Sequence, residues 1–297
     1  MVDDFSTGRR SNLKVAEAEH GDRLEVMTGK VSEILPELDP GTFSGCYHLA
    51  AAVGVRLVVD EPIRTIETNV RETSVALDFA RRGSLPTLIA STSEVYGKGI
   101  RTPFSEDDDV VYGPTIYSRW SYACSKAIDE YLALAHHREG LAPTLVIRFF
   151  NTVGPRQVGE YGMVLPRFVR AAIEGSPLEV HGDGRQSRCF CDVRDVVPAI
   201  VRLFDDPRNH GRVYNIGSDT PVTIGDLAEC VRDRLGSDSP IRHVPYEQAF
   251  NPGFDDLRAR EPDLTRIREA IGFEPAIELE RTIDDLAASC VAGGATQ

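Results

Sequence analysis

The stretch LPTLIASTSEVYG, residues 85–97, begins as a short apolar run and passes into a polar turn ending on Gly97. A run of this length, punctuated by proline and glycine, reads as a buried strand. After a connection comes SRWSYACSKAIDEYLALAHHREG (118–140), long enough for a helix, and then PTLVIRFFN (143–151), a second buried strand. Strand, helix, strand is the unit of a parallel sheet covered by crossover helices. The pattern extends toward the N-terminus. Residues 62–83 read as a helix whose apolar stripe is Ile66, Val70, Val75 and Phe79, with Gly83 available to end it. Before it, GCYHLAAAV (45–53) reads as a strand and its exit, and FSEDDD (104–109) reads as a solvated loop.

Past Asn151 the character changes. TVGPRQVGEYG (152–162) is a glycine-rich loop, and the remainder mixes helices (163–175, 223–235, 281–291) with short strands and proline-punctuated loops. The expected organisation is α/β throughout. Residues 1–152 form a nucleotide-binding domain, with a returning segment near 189–220, and residues 153–297 form mainly a smaller, partly interleaved domain.

Of the 297 residues, 41% are apolar and 27% charged, the balance of a soluble globular chain. A net charge of −13 argues against nucleic acid, whose phosphates need a basic surface. It still allows an anionic small molecule gathered by a few arginines. No apolar run approaches the ~20 residues of a membrane helix, and no signal-peptide pattern opens the chain. The expected location is cytoplasmic, without membrane contact. The six cysteines are scattered, and Cys189 and Cys191 form a poor zinc pattern, so reduced thiols and no metal site are expected.

Tyr122 and Lys126 stand four apart on the 118–140 helix, on one face. Alone, the pair is equally well a surface aromatic–ammonium contact. Its context is the strand end at Thr92, Ser93 and Glu94, the usual place for ligand chemistry in an open α/β sheet. A tyrosine near pKa 10 is a poor base at neutral pH, and a nearby ammonium favours its phenolate. Such a phenolate would take a proton from a sugar hydroxyl while the carbon loses hydride to a nicotinamide. Thr92 would hydrogen-bond the same oxygen.

Read in order, the strand with TSEVYG (92–97), Tyr122-x-x-x-Lys126 and RFFNTVGPR (148–156) resembles the extended short-chain dehydrogenase/reductases that modify nucleotide sugars. The resemblance covers essentially the whole chain. It implies a Rossmann-type doubly wound parallel sheet, a smaller α/β substrate domain, NAD as cofactor and a homodimer formed through two helices per subunit, including the Tyr–Lys helix. VDDFSTGR (2–9) resembles the end of the family's second strand, which implies Asp3 on the adenosine ribose and Asp4, Ser6, Thr7 and Arg9 beside it. HLAAAVGV (48–55) implies dinucleotide contacts at Ala50 and Ala51. Phe149 falls where the family places an aromatic against the nicotinamide, and Tyr122 and Lys126 are implied on the cofactor as well. Asn151, with Arg188 in GDGRQSRCF (182–190) and Arg260 in DLRAREPD (256–263), is implied to reach the sugar diphosphate, a role suited to guanidinium.

Two departures accompany the resemblance. No G-x-G-x-x-G or G-x-x-G-x-x-G run occurs, so the first strand, its glycine-rich turn and the first helix are expected to be missing. The expected cause is a start codon placed too late or a truncated chain, and the loss would split the sheet. An inactive relative that has lost its cofactor is the alternative of another class. Lys30, in Gly29-Lys30-Val31, also stands where the family carries an aspartate toward adenine.

The reaction turns on Thr92-Ser93-Glu94. The family's 4,6-dehydratases carry an aspartic acid where Ser93 stands, and simple 4-epimerases more often lack the acid at Glu94. Thr-Ser-Glu resembles UDP-glucuronate decarboxylases, as does DDLRAREPDLTRIREAIGFEP (255–275), with Tyr122, Lys126, Thr92, Glu94 and Ser93 catalytic. The expected reaction is NAD-dependent decarboxylation of UDP-glucuronate through a 4-keto intermediate. UDP-sugar 4-epimerase and then 4,6-dehydratase are the alternatives, and the nucleotide is UDP or dTDP.

Overall fold

The computed structural model describes residues 1–54, 58, 60–157, 159, 163–249 and 257–294. Val55, residues 158 and 160–162 of the glycine-rich stretch and residues 255–256 of the C-terminal stretch lie outside the described residues.

Val2–Asp3 (β1), Lys14–His20 (α1), Met27–Thr28 (β2) and Val31–Ile34 (α2) come first. Next are Cys46–His48 (β3), Pro62–Gly83 (α3), Thr87–Thr92 (β4), Ser121–Arg138 (α4) and Thr144–Phe149 (β5). The chain then leaves through Thr152–Val153 (β6), Val164–Glu174 (α5), Leu178–His181 (β7) and Ser187–Cys189 (β8). It returns through Cys191–Asp192 (β9), Val193–Asp205 (α6) and Val213–Ile216 (β10). Pro221–Thr223 (β11), Ile224–Arg234 (α7), Ile241–Val244 (β12), Tyr246–Ala249 (α8), Ala259–Arg260 (β13), Thr265–Ile271 (α9) and Leu279–Gly294 (α10) complete it.

The main sheet runs β10-β5-β4-β3, every pair parallel, with Thr87 opposite Thr144 and Thr92 opposite Phe149. Leu88, Ile89, Leu145, Val146 and Ile147 are wholly buried. Both faces of these strands are covered, which is why they read as continuous apolar runs. β1 and β2 form a separate parallel pair, Val2 opposite Met27. β1 and β2 therefore stand apart from the main parallel sheet, as expected. Beside them lies a cleft of about 1680 Å³, lined by Asp3, Asp4, Ser6, Thr7 and Lys30 on one side and Ala50 and Ala51 on the other. A second core packs α5, α7 and α10 through Leu165, Phe168, Leu227, Val231, Ile283 and Leu286.

Three local expectations need correction. In α3 the buried side is Thr65, Asn69, Glu72, Thr73, Ala76, Leu77, Phe79 and Ala80, whereas Ile66 is exposed. Asn69, Glu72 and Thr73 sit on that face with tertiary partners, whereas the Thr65 hydroxyl is buried without one. Asn69 Oδ1 accepts from Ala52 N–H at 2.8 Å, and its Nδ2 donates to Ser125 Oγ at 3.2 Å. Glu72 accepts from Ser32, and Thr73 Oγ1 lies 3.1 Å from His48 Nε2. Gly83 is the last residue of the helix, but it is not the residue that makes the turn. Ser84 takes the left-handed turn (φ 50°), and Gly83 instead lets α3 approach Pro40, whose Cβ a side chain there would meet at 2.8 Å. Finally, FSEDDD is not fully solvated: Phe104 stacks on Tyr96, and buried Glu106 accepts the Asn215 N–H at 2.8 Å.

Candidate active site

At the end of β4 the Thr92 hydroxyl accepts the Glu94 N–H at 3.2 Å, an N-cap for the turn Ser93–Tyr96. This cap turns Ser93 and Glu94 away from the strand and buries both. Glu94 Oε2 accepts from Arg119 Nη1 at 2.6 Å, and Oε1 accepts from Arg260 Nη1 at 3.2 Å. Arg260 Nη2 also reaches Asn151 Oδ1 at 3.4 Å, while Asn151 Nδ2 donates to the Cys189 carbonyl at 3.0 Å. Burial pushes the Glu94 carboxyl up, but the Arg119 and Arg260 guanidiniums prevail and hold it at about 2.

Thr92, Ser93, Glu94, Tyr122, Phe149, Asn151, Arg188 and Arg260 line one cavity of about 1110 Å³. Strand pairing sets Arg260 directly opposite Arg188 across β13 and β8. Arg188 is tied to backbone, its Nη1 donating to Ser187 O at 2.7 Å and Leu257 O at 2.9 Å. The sequence reading placed Arg260 on a diphosphate. Its bond to Glu94 puts it at the Thr-Ser-Glu end of the cavity.

Tyr122 lies on α4 at this cavity, and burial and then Glu94 push its hydroxyl well above the usual tyrosine range, against a hydrogen bond with Thr92. The expectation that Lys126 favours the phenolate meets an obstacle. Lys126 Nζ donates to Asp129 Oδ2 at 2.7 Å, and both side chains are buried. A paired ammonium presents little net charge to its neighbour. Lys126 does not line either cavity in this state.

Leu49, Ala51, Val53 and Asp60 line both the 1110 Å³ cavity and the cleft beside β1 and β2, so the two spaces adjoin. Asp3 stands at the far end, its Oδ1 accepting the Phe5 N–H at 2.8 Å, with Asp4, Ser6 and Thr7 beside it. The donor sets fit both ends of a dinucleotide: carboxylates and hydroxyls for a ribose diol at one end, Tyr122, Thr92 and Phe149 at the other. Among the described residues no glycine-rich turn stands between them for the pyrophosphate.

Sequence reasoning missed Arg119 and Asp129. Each lies within a few residues of the Tyr–Lys pair, and the signal was a charged residue on an otherwise buried helix entry or face.

Residues 9–217 match the NAD dependent epimerase/dehydratase family. The chain is 42% identical over 240 residues to a UDP-N-acetyl-alpha-D-glucosaminuronate decarboxylase of Bacillus cytotoxicus, covering 80% of this chain and 74% of that protein. It is 33% identical over 282 residues to UDP-glucuronic acid decarboxylase 4 of Arabidopsis thaliana, covering 95% of this chain and 60% of the plant protein's length. A UDP-glucuronic acid 4-epimerase from Bacillus cereus, solved with UDP-glucuronic acid and NAD, superposes with a TM-score of 0.83 at 22% identity, covering 98% of this chain and 90% of that one. The chain belongs to the NAD-dependent epimerase/dehydratase family.

Proposed function

We propose that this protein decarboxylates a UDP-linked hexuronate, UDP-glucuronate or its 2-acetamido analogue, through a 4-keto intermediate. The observation that carries the reading is Glu94 held as an anion between two guanidiniums, beside Ser93. A dehydration needs a neutral acid to protonate a departing hydroxyl, and neither residue supplies one. Arg119, Arg260 and Arg188 all bear on this single carboxylate. The surplus positive charge suits a substrate carrying a carboxylate as well as a diphosphate. The similarity to two decarboxylases supports the same reading.

In this reading residues 1–152, with the segment near 189–220, serve the cofactor, and residues 153–297 mainly serve the nucleotide sugar. Asp3, Asp4, Ser6, Thr7, Ala50, Ala51, Phe149, Tyr122 and Lys126 hold NAD, which when bound supplies the hydride acceptor and returns the hydride. Tyr122 takes the C4 hydroxyl proton, with Thr92 bonded to the same oxygen. The 4-ketone makes the carboxylate a β-keto acid. The C5–C6 bond then breaks, carbon dioxide leaves, and the electron pair passes to C5 and the C4 oxygen. A proton at C5 completes the exchange, with Ser93 and Glu94 governing that side of the ring. Asn151, Arg188 and Arg260 hold the substrate. A cytoplasmic homodimer formed through α3 and α4 belongs to the same proposal.

The test supplies NAD+ and UDP-glucuronate labelled with 13C at C6, then the 2-acetamido analogue. Labelled carbon dioxide and a UDP-pentose are expected. A hexuronate epimer retaining the label would overturn decarboxylation in favour of 4-epimerisation, and a folded protein giving neither product would be the inactive relative.

A further inference from the structure

Arg119 sits on the turn Ser118–Trp120 that opens α4, three residues ahead of Tyr122. Its Nη1 donates to Glu94 Oε2 at 2.6 Å, with the two side chains only 5% and 12% exposed. Its guanidinium carbon also lies over the Trp120 ring, 5.2 Å from the centroid, so the cation is seated on an aromatic as well as on a carboxylate. The arginine and the tyrosine thus enter the site on one continuous stretch of chain. The other two arginines around Glu94 come from elsewhere, and Tyr122 comes from the same stretch as Arg119. Arg260 arrives on β13 at 3.2 Å and shares its guanidinium with Asn151, Arg188 adds charge from β8, and Tyr122 faces the carboxylate from α4. The Arg119 contact is the shorter of the two ion pairs.

We infer that Arg119 is a positioning residue that fixes Glu94 as a carboxylate, in one orientation, at the reacting end of the cavity. It rests on the proposed reaction only for the use to which Glu94 is put. Burial by itself favours a neutral carboxylic acid. A neutral Glu94 would be a proton donor and would lose its grip on Arg260. With Arg119 in place, Glu94 acts as an anion throughout the working pH range, and this separates the site from one built to protonate a leaving group.

The test reads Glu94 directly, without substrate. Protein labelled with 13C at the glutamate side-chain carboxyls is titrated by NMR, and the Glu94 signal is assigned by its loss in Glu94→Gln. In the wild type the signal is expected to stay flat from about pH 4 upward, in keeping with its value of about 2. In Arg119→Gln the midpoint is expected to rise by about 1–3 units, the usual effect of one adjacent guanidinium. The acid limb of the turnover profile rises with it. Arg119→Lys retains the charge and is expected to restore the flat signal. An unchanged midpoint in Arg119→Gln overturns the inference. If that variant does not fold, a raised midpoint in Arg119→Lys does so. Failure to release carbon dioxide would sink the decarboxylase reading alone, since this titration needs no reaction.

Discussion

Tyr122 carries the heaviest chemical demand of any residue in the cavity, because it must accept a proton in surroundings that oppose its ionisation. Burial and the Glu94 anion raise its hydroxyl, and Asp129 adds to the effect from behind Lys126. The ionised form is the proton acceptor, so single-turnover oxidation of the substrate is expected to quicken as pH rises through the neutral range, followed by NADH absorbance. Tyr122→Phe is expected to lower turnover by about 10²–10⁴-fold, the usual loss of a general base, with an unchanged circular dichroism spectrum. That Tyr122 meets the Thr92–Glu94 turn in one cavity was foreshadowed by local signals, a residue spacing on one helix and a strand end. Arg119 was not, since its partner lies 25 residues back in the chain. Nor was the Lys126–Asp129 pair, because its meaning depends on both groups being buried.

At the scale of one element, α3 shows where periodicity misleads. Apolar spacing placed Ile66 inside, yet the buried positions include Asn69 and Thr73. A polar side chain is stable inside a protein when its hydrogen bonds are met, and the groups that meet them here lie on β3, α4 and the chain after β3. Local sequence holds no trace of those partners. Asn69 is the clearest case, since it clasps both the N–H and the carbonyl of Ala52, next to Ala51, which lines both cavities. Asn69→Ala removes both bonds to Ala52, at about 1–3 kcal/mol for each buried group left without a partner, whereas Ser125 keeps its bond to the Tyr122 carbonyl. Urea unfolding is expected to show that loss together with weaker NAD binding. Glu67→Ala, on the exposed side of the same helix, is expected to change stability by no more than about 0.5 kcal/mol.

Across the whole molecule, α3 and α4 pack together and still leave Ile63, Ile66, Ile128 and Tyr131 exposed, Tyr131 at 71%. If these helices form the proposed dimer, Tyr131→Glu is expected to convert a sedimenting dimer to monomer, and a wild type already monomeric at micromolar concentration would exclude it. The parallel sheet and its crossover helices were legible because fully buried strands leave unbroken apolar runs. That β10 returns beside β5 was not legible, since no local pattern specifies which strand neighbours which.

The separation of β1 and β2 from the main sheet also sets a timing. None of residues 1–30 is buried, whereas β4 and β5 lie at the centre of the molecule. Amide hydrogens survive in deuterated water according to how much structure must open to release them. Those of residues 1–30 are therefore expected to exchange early and those of β4 and β5 last. Asp3 and its neighbours stand on the early-exchanging piece, and Tyr122 and Thr92 are anchored against the late one. The two ends of a dinucleotide would thus be gripped by parts of the chain that keep different clocks. Its arrival should slow the fast one first.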